Sequence, residues 1–251
     1  MSEEFTTLEE LLKKPIDDRV GVTERGDPAL DHNWMSWVKK GNAAIIITKN
    51  CAAVRKLLSE IANPNVIVHC GITGWGGSVI EPNIPAPEKT LDAYKQLSDE
   101  LGSERVVLRI DPIITSEIGL EKAIYVFSHR IGRVRISFID AYPHVRRRFE
   151  EVGIALHEGF HAPENVRRAI WESLDKPETC AEPGLPSAGC VGAEDCRILG
   201  IKPREFGKGQ RPLCPCLGNK FELLTEKKQC GHGCLYCYWY QPTKPELPVD
   251  K

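Results

Sequence analysis

The sequence predicts an α/β protein built on a full or partial parallel β/α barrel, and three observations lead there. Short β-branched apolar runs alternate with helical patterns between residues 43 and 140, the connections between them carry Gly, Pro and Asn, and polar residues gather just after each apolar run. That alternation is the mark of parallel strands covered by helices.

The elements follow in order. Residues 1–24 open with "MSEEFTTLEELLKKP", acidic and amphipathic, and read as an amino-terminal extension without the basic head and apolar run of a secretory signal. The barrel core is expected over 25–175. Within it "AAIIIT" (43–48) precedes the helical "CAAVRKLLSEIA" (51–62), and "NVIVHCGIT" (65–73) leads through a loop to "APEKTLDAYKQLSDELG" (86–102). Next, "RVVLRIDPII" (105–114) precedes "EIGLEKAIYVFSHRIG" (117–132), and "RVRISFID" (133–140) follows. Each apolar run is short enough for a strand, and each helical stretch repeats its apolar positions at three- and four-residue intervals. From residue 176 to 251 the chain is rich in Pro, Gly and Cys, and only "FELLT" (221–225) reads clearly as another strand.

A chain of 251 residues with 41% hydrophobic content can fill a proper core. Lys plus Arg is 33 against 35 for Asp plus Glu, so the net charge of −2 favours no particular partner and any attraction for nucleic acid would need a local patch. The longest apolar runs are far too short to cross a bilayer, so no membrane association and a cytoplasmic location are expected. In that reducing compartment, ten cysteines point to metal ligands or redox groups before disulfides. Cys51 and Cys70, each alone in an apolar segment, read as small buried hydrophobes.

In parallel α/β folds the site lies at the carboxyl ends of the strands. Thr48, Lys49 and Asn50 follow the first run, Thr73, Gly74 and Gly76 the second, Arg109 and Asp111 the third, and Ser137 and Asp140 the fourth. Together they make a candidate pocket rim, although the same residue types also serve as caps and turns.

The densest chemistry is "CGHGCLYCYW" (230–239), where Cys230, Cys234 and Cys237 have the spacing C-x3-C-x2-C. Structural zinc normally takes four ligands, and here the local set is three, with His232 as a candidate fourth. Gly231 and Gly233 let the backbone wrap closely around a bulky group. Three thiolates on a four-iron cube leave one iron open, and an open position is what a metal centre needs for chemistry.

This stretch resembles the radical S-adenosylmethionine signature, C-x3-C-x-aromatic-C. The resemblance implies a [4Fe-4S] cluster on those three thiolates whose open iron chelates S-adenosylmethionine, and a 5′-deoxyadenosyl radical that abstracts hydrogen from a substrate. It also implies a full or partial TIM-like barrel and an electron donor such as flavodoxin or ferredoxin. In that superfamily the signature usually sits near the amino terminus, whereas here it lies near the other end. "ITGWGGSVIEPNIPAPEKTLDAYKQLSDELGSERVVLRIDPII", with "TKN", "RGDPA", "ISFID", "CAEPG" and "RPLCPC", is similar to the family called domain of unknown function 1848, which also ends in such a motif. The implied fold is a circularly permuted barrel in which "FELLT" presents the cluster loop and the amino-terminal segments supply its neighbours. The family resembles spore photoproduct lyase more distantly, which leaves a nucleobase among the substrates allowed.

On the radical-enzyme reading, Asn50, Thr73, Gly74 and Arg109 are candidates to contact S-adenosylmethionine, with the planar Arg109 guanidinium suited to its carboxylate. Glu81 and Asp111 are candidates for its amine or ribose, or for the substrate, and Arg109, Asp111 and Glu81 form the candidate catalytic set. A second metal group is indicated by Cys180, Cys190, Cys196, Cys214 and Cys216, because the "CPC" at 214–216 points two thiols toward one region. The resemblance marks Cys180, Cys190, Cys214 and Cys216 as the recurring set, for a further iron–sulfur cluster or zinc.

Two other readings compete. In one, the cysteines only staple the carboxyl-terminal region with zinc or iron–sulfur and nothing is catalysed. In the other, "HEGFH" (157–161) matches the zinc metallopeptidase pattern through His157, Glu158 and His161, but Gly159 and Pro163 argue against the continuous helix it needs. The arginines of "HRIGRVRISFIDAYPHVRRRF" can bind phosphates, though Arg146 to Arg148 read first as a solvated helix face balanced by Glu150 and Glu151.

Overall fold

The computed structural model describes residues 17–62, 64–205, 213–225 and 230–239. Most of the amphipathic start, 1–16, lies outside the described residues. The strands are β1 (Val20–Val22), β2 (Ala44–Thr48), β3 (Val66–Gly71), β4 (Val106–Ile113), β5 (Val134–Phe138), β6 (Glu178–Thr179) and β7 (Lys220–Glu222). The helices are α1 (Met35–Lys39), α2 (Cys51–Leu58), α3 (Pro87–Leu101), α4 (Glu117–Ser128), α5 (Pro143–Glu151), α6 (Glu164–Ser173) and α7 (Ala193–Leu199).

All pairings are parallel, and the spatial order is β6-β5-β4-β3-β2-β1-β7. The sheet is curled and open, a half-barrel compatible with a partial β/α barrel. Chain order and spatial order agree from β1 to β6. The last strand then returns beside the first, with Val20, Gly21 and Val22 in register with Lys220, Phe221 and Glu222. β7 overlaps "FELLT" only at Phe221 and Glu222, and it lies beside an amino-terminal strand as expected. Gly21 makes that pairing close, because a Cβ there would stand 2.6 Å from Leu223 Cδ1 and 2.8 Å from Trp37 Nε1.

The expected strands within 43–140 are present as β2 to β5, while β1 falls inside the segment read as an extension and the Cys-rich segment supplies both β6 and β7. β1 and β6 are too short to show a period of two in sequence.

Alternation along each strand sorts the two faces. Outward, Ala44, Ile46, Val66, Val68, Leu108, Ile110 and Ile136 pack with helical residues such as Val54, Leu91, Leu97 and Val126 in the main core. Cys51 and Cys70 are fully buried there, as expected of small hydrophobes. Inward, Val20, Val22, Ile45, Ile67 and Val107 pack with Cys196, Ile198 and Leu199 of α7, which fills the half-barrel. Arg133 ties α7 in place through Asp195, Nη1 to Oδ1 at 2.8 Å.

Further along the inner face the lining turns polar. His69 and Arg109 are buried, Arg135 stands in register with Arg109, and Asp111 and Ser137 follow toward the carboxyl ends. Arg135, 1% exposed, is neutralised by Glu178 of the neighbouring β6, with Nη2 to Oε2 at 2.5 Å. The fold thus closes one end with apolar side chains and leaves charged ones at the other.

Candidate functional site

The loop carrying Cys230, Cys234 and Cys237 is fastened to that polar end from several sides. Asn83 Nδ2 donates to Gly231 O at 2.9 Å, and Leu235 N donates to Ile80 O at 3.0 Å. Arg148 of α5 donates from Nη2 to Cys237 O at 2.6 Å, and His144 Nε2 lies 3.2 Å from Tyr238 O. Gly233 turns the chain with φ of 68°, a conformation that favours glycine. Cys234 is buried, whereas Cys230 and Cys237 are partly open. Burial pushes the Cys234 thiol up to about 12, against the opposing pull of Lys49, and burial also raises the Cys230 thiol.

Arg148 corrects an expectation. It is 5% exposed rather than part of a solvated face, and its guanidinium bridges α5 to the cysteine loop. Arg146 also works locally, donating to the carbonyls of Glu158 and Gly159.

His232, a candidate fourth ligand, is held elsewhere. Its Nε2 lies 2.9 Å from Asp27 Oδ2, a close electrostatic contact that falls short of an aligned hydrogen bond. Asp27 also accepts from Thr48 Oγ1 at 2.8 Å, Lys49 N at 2.8 Å and Ala29 N at 2.9 Å. Burial alone would raise the Asp27 carboxyl, but His232 and these backbone donors outweigh it and hold the group below its ordinary value.

Beneath the loop, Lys49 Nζ lies 3.2 Å from Glu81 Oε1, donates to Asp111 O at 3.1 Å and stands 5.0 Å from the centre of the Tyr236 ring. Burial disfavours the Lys49 charge, yet Glu81, Cys234 and Asp111 more than offset it, so the ammonium is held more firmly than in water. The Tyr236 hydroxyl donates to Glu81. Asp111 pairs with Arg109, Nε to Oδ2 at 2.6 Å, and accepts from the Ser137 hydroxyl. A cysteine loop thus stands over an interlocked set of one lysine, two carboxylates, a phenol and an arginine.

The structure places the sequence candidates unevenly. Glu81 and Asp111 belong to this set, and Lys49 joins them. Asn50 caps α2 by accepting from Ala53 N at 3.2 Å, and Thr73 Oγ1 accepts from Trp75 N at 3.3 Å. Gly74 adopts φ of 84° against Lys122, and Lys122 Nζ donates to its carbonyl at 3.1 Å. Arg109 is buried and turns its other end to Cys190, Nη1 to Sγ at 3.5 Å. Asp27 went unread, because it lies in sequence among ordinary loop residues.

His157 and His161 lie in a loop, as Gly159 and Pro163 foretold, and engage separate partners. His157 Nε2 is 3.3 Å from Phe160 O, while His161 Nδ1 is 2.8 Å from Asp140 Oδ1. A cleft of about 290 Å3 lined by Phe127, Arg133, Leu174 and Glu178 lies at the amino ends of β5 and β6, away from the cysteine loop.

Cys180, Cys190, Cys214 and Cys216 form a separate buried group on the inner face, packed against Ile47. Among the described residues, no three His, Cys, Asp or Glu side chains stand in positions ready to hold a metal ion.

Fold and site together define a half-barrel protein with a thiol loop over charged strand ends. The chain belongs to the family described as "Domain of unknown function (DUF1848)", whose model matches residues 35–239. No curated protein and no solved structure gives a significant match.

Proposed function

We propose that this protein is a radical S-adenosylmethionine enzyme, with Cys230, Cys234 and Cys237 as the ligands of its [4Fe-4S] cluster. The observation that carries the proposal is a three-thiol signature at the strand-end face of a parallel half-barrel, its neighbouring histidine engaged by Asp27. The C-x3-C-x2-C spacing, with Cys230 and Cys237 partly open to solvent, supports three thiolate ligands and one free iron once the loop closes on a cluster. Bound there, the cluster supplies a coordination position for the amino and carboxylate groups of S-adenosylmethionine and the electron that breaks its carbon–sulfur bond.

The protein's own groups prepare that reaction. Lys49 is the cation beneath the loop and offsets thiolate charge, while Glu81 and Tyr236 hold it in place. Glu81 and Asp111 offer acceptors for an amine or ribose hydroxyls. With Asn50 capping a helix and Arg109 paired to Asp111, Lys49 takes over from them as the contact for an anionic group. An electron donor such as flavodoxin or ferredoxin is part of the proposal, as is a substrate whose class stays open, nucleic acid included. Among the described residues no helix is long and apolar enough to cross a membrane.

Anaerobic reconstitution with iron and sulfide tests this. The reduced protein should convert S-adenosylmethionine to 5′-deoxyadenosine, Cys234→Ala should lose that activity, and the cluster's electron paramagnetic resonance signal should change when S-adenosylmethionine is added. Stoichiometric zinc on these thiols with no cleavage would instead establish the non-catalytic staple.

A further inference from the structure

We propose that the outer face of α4 is the surface through which two copies of this chain pair, helix against antiparallel helix across a two-fold axis. This inference does not depend on the reading of the Cys230 loop.

The inward face of α4 is settled by its sequence. Gly119, Ala123, Val126 and Phe127 recur at helical spacing and are buried, the last three within the main core. Gly119 packs so closely that a Cβ there would stand 2.0 Å from Ile114 O. A helix that covers a sheet turns its other face to water and normally fills it with polar side chains. α3 does so, exposing Asp92, Lys95, Gln96 and Asp99. α4 departs from that pattern. Ile118, Ile124 and Tyr125 are 58%, 47% and 40% exposed, and among the described residues no other helix exposes a large apolar side chain. Ile118 and Tyr125 stand seven residues apart, on one line along the helix, with Ile124 flanking them. Ile131, just past the helix end, adds a fourth at 47% exposed. Single apolar residues on a surface are ordinary, but four on one side of one element mark an interaction surface. Tyr125 is already fixed there by an edge contact with the His129 ring, 4.8 Å between centres, so little freedom is lost when it is covered.

The charges name the partner. Glu117 and Glu121 are exposed in the first half of α4, and Arg130 is exposed just beyond its end. Among the described residues none of the three makes an ion pair, and Arg130 lies over the Phe127 ring at 4.1 Å. The face is thus acidic at its amino end, apolar along its middle and basic at its carboxyl end. A second copy laid antiparallel presents the same order reversed. Glu117 of each chain then comes opposite Arg130 of the other, while Ile118, Ile124 and Tyr125 of the two chains pack together. A parallel pairing sets Glu117 against Glu117, and a partner of one charge sign satisfies one end only. The helix dipoles also favour the antiparallel arrangement.

Twelve residues of helix span about 18 Å, which supplies less than the roughly 800 Å2 per partner of a stable complex. Reversible pairing in the micromolar range is therefore expected. Lys122, on the flank of α4, donates to Gly74 O at 3.1 Å and lies 4.8 Å from the centre of the Trp75 ring, so the interface stands one side chain from the loop after β3.

The test is sedimentation velocity on the full chain, kept reduced and free of oxygen so that thiols do not link copies, from about 1 to 200 μM. The sedimenting mass should rise with concentration from 28.1 kDa toward about twice that. Ile124→Glu should hold the chain at monomer mass throughout and leave Tm within about 2 °C, because the side chain is half exposed. Glu117→Arg should weaken pairing about tenfold, and the exchange Glu117→Arg with Arg130→Glu should recover it. Leu30→Glu, at an exposed apolar residue outside α4, should leave pairing unchanged. Should Ile124→Glu lower Tm further, Ile118→Glu takes its place. A monomer at every concentration, a dimer that survives both glutamate substitutions, equal loss on Leu30→Glu, or a charge exchange that restores nothing would overturn the proposal.

Discussion

Lys49 shows how tightly the site is wired, because a single ammonium serves Glu81, the Asp111 carbonyl and the Tyr236 ring at once. Replacing it in Lys49→Met leaves Glu81, 1% exposed, as a buried carboxylate with the Tyr236 hydroxyl but without its cation. A loss of about 3 kcal/mol in urea-unfolding stability is expected. Asp111 gives the pH dependence. Burial raises its carboxyl, but Arg109, the Ser137 hydroxyl and Lys49 outweigh that and hold it below its ordinary value. A depressed carboxyl contributes stability that is fully present above the unfolded value and is lost as pH falls through the native one. Unfolding midpoints measured from neutral pH downward should therefore drop in acid, below about pH 4, and Asp111→Asn should flatten that fall. At this level the sequence was partly legible. Glu81 and Asp111 were readable as acids near strand ends, and three cysteines with fixed spacing were unmistakable. Asp27 was not, since nothing local distinguishes an aspartate that caps a turn from one that meets His232 two hundred residues away.

Helix α5 is the element whose role changed most between sequence and structure. Its three consecutive arginines look alike in sequence, yet the helical turn carries Arg148 inward to the Cys237 carbonyl while Arg146 reaches the loop at Glu158 and Gly159. Arg148→Met should keep the apolar packing of the stem and remove the donor. Amide exchange across 230–239 should then speed up about tenfold, with β2 to β5 unchanged, as measured by hydrogen–deuterium exchange. The long elements were legible because each carries a full period of pattern: α3 over fifteen residues, β4 over eight. β6 and α7 were not, for two and seven residues among Pro, Gly and Cys carry too little periodicity to separate them from loop.

Over the whole molecule, stability should be graded from the centre of the sheet outward. β3 and β4 are paired on both sides and packed under helices, whereas β6 and β7 are short edge strands, β6 adding only a single bridge from Thr179 to Ser187 on its far side. Native-state exchange should accordingly be slowest in β3 and β4 and faster by orders of magnitude in β6 and β7. The parallel architecture was legible from the alternation of apolar runs and helices. The precise extent of the sheet was not, since pairing between β1 and β7 joins segments nearly two hundred residues apart and depends on Gly21 admitting Leu223 and Trp37.

That pairing has a consequence for biosynthesis. β7 is synthesised long after β1, so on a growing chain the β1 amides and carbonyls that face it stay unsatisfied until β7 has emerged. The thiol loop follows β7 in the chain, so its seat at the strand ends is complete only once that late pairing has formed.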